Sequence, residues 1–185
     1  IAVAQGYNDW LSKEYAAADP RRILGLAMLP TVSAKDAAAE LARIKGKPGI
    51  AGVVLHQWPD GKPVPSPADD EFWVAAVRLG VPLTFHITFG GGPETEQKPA
   101  NERNWSPINL MINRGQNRTG YTITRLITSG VLDRFPELRF DAAEAQASWA
   151  IFFRQGADNA YDRHRHWANL ELPHHPSYYI KKHFT

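Results

Sequence analysis

The chain has 185 residues, 43% of them hydrophobic and 22% charged, which is the composition of an ordinary globular domain with an apolar core. Its 21 basic and 19 acidic residues leave a formal charge of +2 without long blocks of either sign, which excludes the electrostatic footprint of nucleic-acid binding. The absence of cysteine excludes disulfides, thiolate zinc sites and a cysteine nucleophile.

Hydropathy and cysteine usage also set expectations for location and partners. No apolar run approaches the roughly 18 residues that span a bilayer, so we expect no membrane partner. A chain without cysteine suits a reducing compartment, and we predict a cytoplasmic protein. Because neither nucleic acid nor a membrane is indicated, a small molecule is the class of partner that we expect.

The first part of the chain predicts a helix, a strand and a second helix. Apolar residues at helical spacing indicate a helix that ends before Asp19-Pro20, because proline pushes the preceding residue out of the helical conformation. Residues 23–29 form a continuous apolar run, typical of a parallel strand covered on both faces. A helix follows from Ser33, with Asp36 completing a shortened capping box. The predicted buried stripe of this helix is Ala38, Leu41, Ala42 and Ile44.

Two further strands follow at a regular interval. Residues 49–55 and 82–86 are predicted to be buried strands, with a helix over residues 69–79 that ends at Gly80. The strand starts lie about thirty residues apart, which is the length of a strand-helix unit that returns to the same sheet. We therefore predict an α/β fold with a parallel sheet and right-handed crossovers.

The second half of the chain adds a long loop and one more strand. Residues 88–107 carry no periodic pattern, and long loops at the carboxyl end of a strand usually serve a site. A helix is expected to resume near residue 109 and to continue over residues 121–131. Residues 138–143 predict a fourth strand, and another helix begins near Trp149.

Four strand-helix units make half of an eight-fold barrel or a small open sheet. The absence of an internal linker predicts a single domain over residues 1–185. An open half barrel leaves two sheet edges unpaired, and unpaired edges recruit further strands or other chains. We therefore expect a homo-oligomer.

The residues that follow the strands converge at the carboxyl edge of the predicted sheet. The set is Pro30, His56, His86 and Glu144. Two histidines and a carboxylate are ligand types that zinc, manganese or iron accept. Each residue also has a structural explanation, because a strand-ending histidine can hydrogen-bond to the backbone and a carboxylate can stabilise a helix N-terminus. These residues alone leave both explanations open.

Other motifs indicate less chemistry. The run at residues 163–166 has no second basic cluster to support it and is predicted to be a solvated helix face. His174 and His175 are adjacent and precede a proline, which favours a surface turn over a chelating pair. The glycines at residues 90–92 lack the flanking residues of a phosphate loop and the spacing of a dinucleotide turn. The chain has no G-x-S-x-G elbow, so a serine hydrolase has no support.

Several segments, taken in order, resemble one known family. The two most specific are the P-x-x-x-H strand at residues 82–86 and the stretch G-V-L-x-R-F-P-x-L at residues 130–138. The other matching segments are residues 8–10, 19–22, 26–30, 40–43, 52–55 and 176–179. Together they make the chain similar to the amidohydrolase-related family. That family includes aminocarboxymuconate-semialdehyde decarboxylase, resorcylate decarboxylase and hydrolases of C–C or C–O bonds.

The resemblance implies a distorted (β/α)8 TIM-type barrel, of which this chain is a central fragment with the third to sixth strands. It also implies one divalent metal at the carboxyl ends of the strands, with zinc expected first and manganese second, and with His86 as a ligand. The family's H-x-H or E-x-H pair of the first strand and the aspartate of the last strand have no counterpart in these 185 residues. Where many relatives keep a second histidine, this chain has Glu144, as some relatives do.

These implications predict a metal-dependent hydrolase or decarboxylase of a small carboxylated or aromatic-derived substrate. The metal would polarise a substrate oxygen or lower the pKa of bound water, and Glu144 would move a proton to or from the reacting carbon or water. His56 and Trp149 would line the substrate pocket, Trp149 by stacking. The competing hypothesis is a truncated or degenerate barrel without catalysis that binds a ligand or partner.

Overall fold

Four parallel strands, hydrogen-bonded to one another in chain order, form the sheet that positions the rest of the molecule. The computed structural model of the chain describes residues 1–86, 89 and 118–185. The strands are β1 (Gly25–Met28), β2 (Ile50–Leu55), β3 (Leu83–His86) and β4 (Phe140–Ala143). The predicted parallel sheet and its four strand positions are confirmed. The predicted helix near residue 109, residues 90–92 and the predicted loop, apart from residue 89, lie outside the described residues.

Helices follow the strands along the chain, as the predicted strand-helix units require. They are α1 (Ala2–Trp10), α2 (Ala34–Ile44), α3 (Asp70–Leu79), α4 (Gly120–Thr128), α5 (Val131–Arg134), α6 (Trp149–His164) and α7 (Pro176–His183). A π-helical turn at Leu11–Tyr15 and a 3₁₀ turn at Ala16–Ala18 extend α1 to the predicted break at Asp19-Pro20. Within the described ranges, none of the helices is both long and apolar enough to cross a bilayer.

Local signals in the sequence explain where α2 and α3 begin and end. Ser33 caps α2, because its Oγ accepts a hydrogen bond from the Asp36 backbone N–H at 3.0 Å and its hydroxyl donates to the Asp36 carboxylate at 2.7 Å. Gly80 ends α3 in the left-handed conformation, with φ at 58°, which glycine adopts without steric cost. Both predicted boundaries are confirmed.

The buried face of α2 differs from the predicted stripe at two positions. Ala42 is exposed and Ala38 is half-buried, whereas the buried residues are Ala34, Ala37, Glu40, Leu41 and Ile44. A glutamate would not be placed in a core on hydropathy alone. Glu40 is buried because Arg43 and Asn8 satisfy its carboxylate, with Arg43 Nε at 2.7 Å and Asn8 Nδ2 at 2.7 Å.

The register of the sheet aligns one apolar row beneath the helices. Ala27, Val53, Leu83 and Phe140 pair in sequence across the four strands, and each is at most 1% exposed. On the opposite face, Leu26 is 36% exposed. The prediction that the first strand is covered on both faces is therefore wrong for the described part of the chain, because the described residues cover its second face only in part.

Side chains and backbone from outside the sheet partly occupy both of its edges. Asn8 of α1 donates from Nδ2 to Met28 O and accepts from Met28 N, both at 2.8 Å, as a neighbouring strand would. At the other edge, Phe184 forms a parallel bridge to Phe140, and Thr185 N donates to Phe140 O at 3.1 Å. These contacts satisfy backbone groups that an edge strand leaves open. The expected homo-oligomer stays a prediction.

A charged network surrounds the Asn8 contact and joins α1 to α2. Arg43 donates to Asp9 Oδ1 at 2.7 Å and also binds Glu40, while Lys47 Nζ lies 3.2 Å from Asp9. The hydrogen bonds from Arg43 and Lys47 lower the pKa of Asp9 to about 2. Burial alone would raise the pKa of Glu40, but the hydrogen bonds from Arg43 and Asn8 hold it below its ordinary value. Both carboxylates are therefore charged in the folded protein.

The last helix packs through two buried aromatic side chains. The Tyr179 hydroxyl donates to Asp133 Oδ1 at 2.7 Å, and His183 Nδ1 donates to Leu138 O at 2.8 Å. His183 is fully buried, and in the described part of the chain its Nε2 has no hydrogen-bond partner. Burial lowers the pKa of His183, so the ring is held neutral.

The two histidine-rich stretches lie at the surface, as predicted. Residues 163, 164 and 166 are exposed around the end of α6. His174 and His175 are exposed in the turn before α7, where His175 Nε2 lies 2.9 Å from Asp162 Oδ1. This pair connects α6 to the start of α7.

Replacing Asn8 with aspartate tests the edge contact. Asn8→Asp keeps the shape but removes the amide donors to Met28 O and Glu40, and it places a second carboxylate beside Glu40. We expect a loss of about 3 kcal/mol in the free energy of unfolding, measured by urea denaturation. Asn159→Asp makes the same chemical change at an exposed position of α6 and should shift stability by at most about 0.5 kcal/mol. Equal losses in the two variants would contradict this role for Asn8.

The buried His183 predicts a specific pH dependence of stability. Its folded-state pKa is depressed by burial and by the charges of Lys182 and Arg139, against the opposing effects of Leu138 O and Asp133. As pH falls below the ordinary value of 6.5, the unfolded state gains a proton that the folded state does not, so stability declines. This group contributes a slope of at most about 1.4 kcal/mol per pH unit.

His183→Asn should make this decline shallower, because asparagine can still donate to Leu138 O but does not titrate. The measurement is the free energy of unfolding at several pH values between about 7 and 5. His166→Asn, which removes an exposed imidazole, serves as the control for losing a histidine. A slope in His183→Asn as steep as in the wild type would show that His183 is not the group responsible.

Candidate active site

A histidine and a glutamate from neighbouring strands meet at the carboxyl edge of the sheet. His86 is the last residue of β3 and pairs in register with Ala143, the last residue of β4. Glu144 is the next residue, and its Oε2 lies 3.3 Å from His86 Nε2. The His86 side chain is 32% exposed and that of Glu144 is 68% exposed, so a small molecule from solvent can reach the pair.

The turn that carries Glu144 has an unusual backbone. Glu144 and Gln146 have φ angles of 58° and 56°, in the left-handed region that residues with a side chain rarely adopt. Each such residue costs about 1–3 kcal/mol and persists only where surrounding contacts enforce it. The turn directly follows β4, and the Glu144 carboxylate in it lies beside His86.

His56 stands at the same edge, after β2. Its ring centroid lies 6.5 Å from that of His86, so the structure brings the two predicted histidines together. Partial removal from water, followed in size by the charge of His86, lowers the pKa of His56. His56 is therefore neutral near pH 7, the form in which imidazole accepts a hydrogen bond or binds a metal.

Trp149 lies at the start of α6. Its indole Nε1 donates to Ala145 O at 2.6 Å, and its ring packs edge-to-face on Phe153 with centroids 5.3 Å apart. Together with Glu144 and Gln146, it lines a cavity of about 390 Å³. Glu144 therefore contacts His86 and shares a cavity with Trp149, and the predicted stacking role of Trp149 stays a prediction.

The donor atoms suit a divalent metal in type but do not complete a site. The Nε2 nitrogen of His86 can bind an ion directly, and Glu144 Oε2 lies 3.3 Å from that nitrogen. Imidazole nitrogen and carboxylate oxygen are accepted by both zinc and manganese. In the ranges that the structure describes, no three histidine, aspartate or glutamate side chains are close enough to hold an ion. A metal bound to His86 therefore needs further donors.

Sequence reasoning missed two contacts that support this edge. Gln57 Nε2 donates to Thr31 Oγ1, which joins the segments that follow β1 and β2. Trp58 and Phe89 pack edge-to-face with ring centroids 4.7 Å apart. The available signal was position alone, since each of these residues follows a strand end by one to three residues.

Comparison with known proteins extends along the whole chain. A family model described as Amidohydrolase matches residues 1–185. Decarboxylase orsB from Emericella nidulans is 31% identical over 139 residues, which are 71% of this chain and 41% of that protein.

Solved structures share the fold. The 5-carboxyvanillate decarboxylase LigW from Sphingomonas paucimobilis has a TM-score of 0.74 at 20% identity, over 100% of this chain and 53% of its own. A 5-carboxyvanillate decarboxylase from Novosphingobium aromaticivorans has a TM-score of 0.75 at 20% identity, over 99% of this chain and 52% of its own. It was solved with bound manganese and 3-methoxy-4-hydroxy-5-nitrobenzoic acid.

The chain spans about half the length of these relatives. Its four strand-helix units correspond to part of their TIM barrel, which confirms the predicted partial barrel. The family match covers the chain from its first residue to its last, and the order of the matching segments agrees with the resemblance noted in the sequence. The chain belongs to the amidohydrolase family.

Proposed function

We propose that the protein is a metal-dependent decarboxylase of a small carboxylated phenol. The observation that carries this proposal is the 3.3 Å contact between His86 Nε2 and Glu144 Oε2 at the open edge of the sheet. The contact combines a metal-ligand nitrogen with a carboxylate that can transfer a proton. The relatives named above are decarboxylases, which supports decarboxylation over hydrolysis.

His86 would be a protein ligand of the metal, with further donors from outside the described residues. When bound, the ion supplies a positive charge that stabilises the anionic substrate and the charge that develops during reaction. Manganese is the ion to test first, because the relative from Novosphingobium aromaticivorans was solved with it, and zinc is the second. His56, neutral at pH 7, would hydrogen-bond a substrate oxygen at the same edge.

Glu144 would supply the proton that decarboxylation requires. In its protonated form the carboxyl group donates a proton to the ring carbon that bears the substrate carboxylate. A C–H bond forms at this carbon, the C–C bond to the carboxylate breaks, and its electron pair returns to the ring as CO2 leaves. Water then reprotonates Glu144, which its exposure permits. Trp149, which lines the same cavity as Glu144, would stack on the aromatic ring.

His86→Ala tests the metal-binding role. Removing the imidazole takes away the nitrogen donor, so the purified protein should retain less than about a tenth of the wild-type manganese or zinc, measured by mass spectrometry of the metal. His166→Ala removes an exposed histidine at the end of α6 and should leave the metal content unchanged. Equal metal content in His86→Ala and the wild type would exclude His86 as a ligand.

Glu144→Gln tests the proton-transfer role and separates it from metal binding. The amide keeps the shape but cannot donate an acidic proton, so metal content should persist while CO2 release from 5-carboxyvanillate falls by about 10²–10⁴-fold. Glu137→Gln makes the same change just before the amino end of β4, whereas Glu144 follows the carboxyl end of that strand. This variant should retain full activity. Unchanged turnover in Glu144→Gln would remove Glu144 from the mechanism.

The reaction product distinguishes the remaining alternatives. A decarboxylase releases CO2 and leaves the ring with a new C–H bond, whereas a hydrolase consumes water and releases an acid without CO2. A protein that retains no metal and converts none of the carboxylated phenols would support the non-catalytic barrel.

A further inference from the structure

We propose that Phe89 and Trp58 are positioning residues that hold His86 and His56 in place at the carboxyl edge of the sheet. Neither aromatic side chain is a donor for a metal, and both are buried, with Trp58 1% and Phe89 7% exposed. This inference rests on the proposed function, because it assigns the two residues to the geometry of the histidines used there.

Phe89 acts on the backbone of His86 directly. The Phe89 N–H donates a hydrogen bond to His86 O at 2.8 Å. The Phe89 ring packs edge-to-face on Phe85 with centroids 4.8 Å apart, one residue before His86. The backbone of His86 is therefore held by the strand before it and by the hydrogen bond from Phe89.

Trp58 connects Phe89 to the segment that follows β2. Its ring lies 4.7 Å from Phe89 and 6.1 Å from Phe85 between centroids, and it is two residues from His56. The indole Nε1 donates to Pro63 O at 3.2 Å, so Trp58 is held by its own loop as well as by Phe89. The aromatic contact thus joins the two segments that carry the histidines.

The loop that carries Trp58 is itself held by a buried carboxylate. Asp69 is fully buried and accepts hydrogen bonds from Asp60 N at 2.8 Å and Ser66 N at 2.9 Å. Gly61 N donates to Trp58 O at 2.8 Å, which closes a turn inside the same loop. Trp58 is therefore held in place by its own loop, and Phe89 packs against it.

Metal affinity depends on such support, because ordering a mobile ligand side chain on binding costs part of the binding free energy. Changes in groups that orient a metal ligand typically weaken metal binding by about 10–100-fold. Substituting a core residue away from the carboxyl edge of the sheet should not weaken metal binding. Phe72 is a suitable comparison, since it is fully buried in α3 and packs edge-to-face on Trp73 with centroids 5.0 Å apart.

The first test compares Phe89→Leu with Phe72→Leu by calorimetric titration with manganese. Both variants lose one buried aromatic ring. Phe89→Leu loses edge-to-face contacts with Trp58 and Phe85, and Phe72→Leu loses the one with Trp73. We expect a dissociation constant about ten-fold weaker in Phe89→Leu and within about two-fold of wild type in Phe72→Leu. Wild-type affinity in Phe89→Leu, or equal weakening in both variants, would overturn the inference.

The second test needs no metal. Trp58→Leu removes the support for the Phe89 ring, so hydrogen exchange at the Phe89 backbone amide should become about ten-fold faster in the metal-free protein. The same amide should exchange at the wild-type rate in Phe72→Leu. Unchanged exchange in Trp58→Leu would overturn the inference. If the wild type binds no manganese, the proposed function fails, and the exchange measurement still decides whether the aromatic contact maintains the hydrogen bond from Phe89 to His86.

Discussion

The hydrogen bonds of Asn8 hold together the elements on which the sheet is built. One amide side chain binds both backbone groups of Met28 and the buried carboxylate of Glu40, and so joins α1, β1 and α2. Each of these partners would be costly to bury alone, since an unpaired edge amide and an unpaired carboxylate both lose their hydration. Arg43 and Asp9 complete the network at the surface. The position of β1 in the sheet therefore depends on polar contacts as much as on apolar packing.

The candidate site follows from that sheet through strand register. Because His86 is paired with Ala143, any residue directly after β4 must lie near His86. The turn at Glu144 then decides whether its carboxylate faces the histidine or solvent. A slip of β4 by one residue would move Glu144 away from His86 and would also lift Phe140 out of the apolar row. Core packing and site geometry are consequently specified by the same pairing.

Much of this arrangement could be predicted from the sequence where the determining interactions are local. The cap at Ser33, the left-handed end of α3 at Gly80 and the strand that ends at His86 each depend on a few adjacent residues. The burial of Glu40 could not, because it depends on Asn8, which is 32 residues away and was not expected to approach it. The contact between Trp58 and Phe89 was missed for the same reason, since aromatic residues give no signal of which distant ring they will meet. The left-handed backbone of Glu144 was missed because residue preferences argue against it.

At the left-handed turn, folding stability and the position of the Glu144 side chain place opposite demands on the backbone. Glycine adopts a φ angle of 56° without steric cost, so selection for stability alone would favour glycine where the chain has Gln146. Glycine would also widen the range of backbone angles open to the turn and would release the Glu144 carboxylate from a fixed direction. The left-handed backbone therefore lowers folding stability at the turn that carries Glu144 beside His86. Engineering for thermal stability alone would select against this feature first.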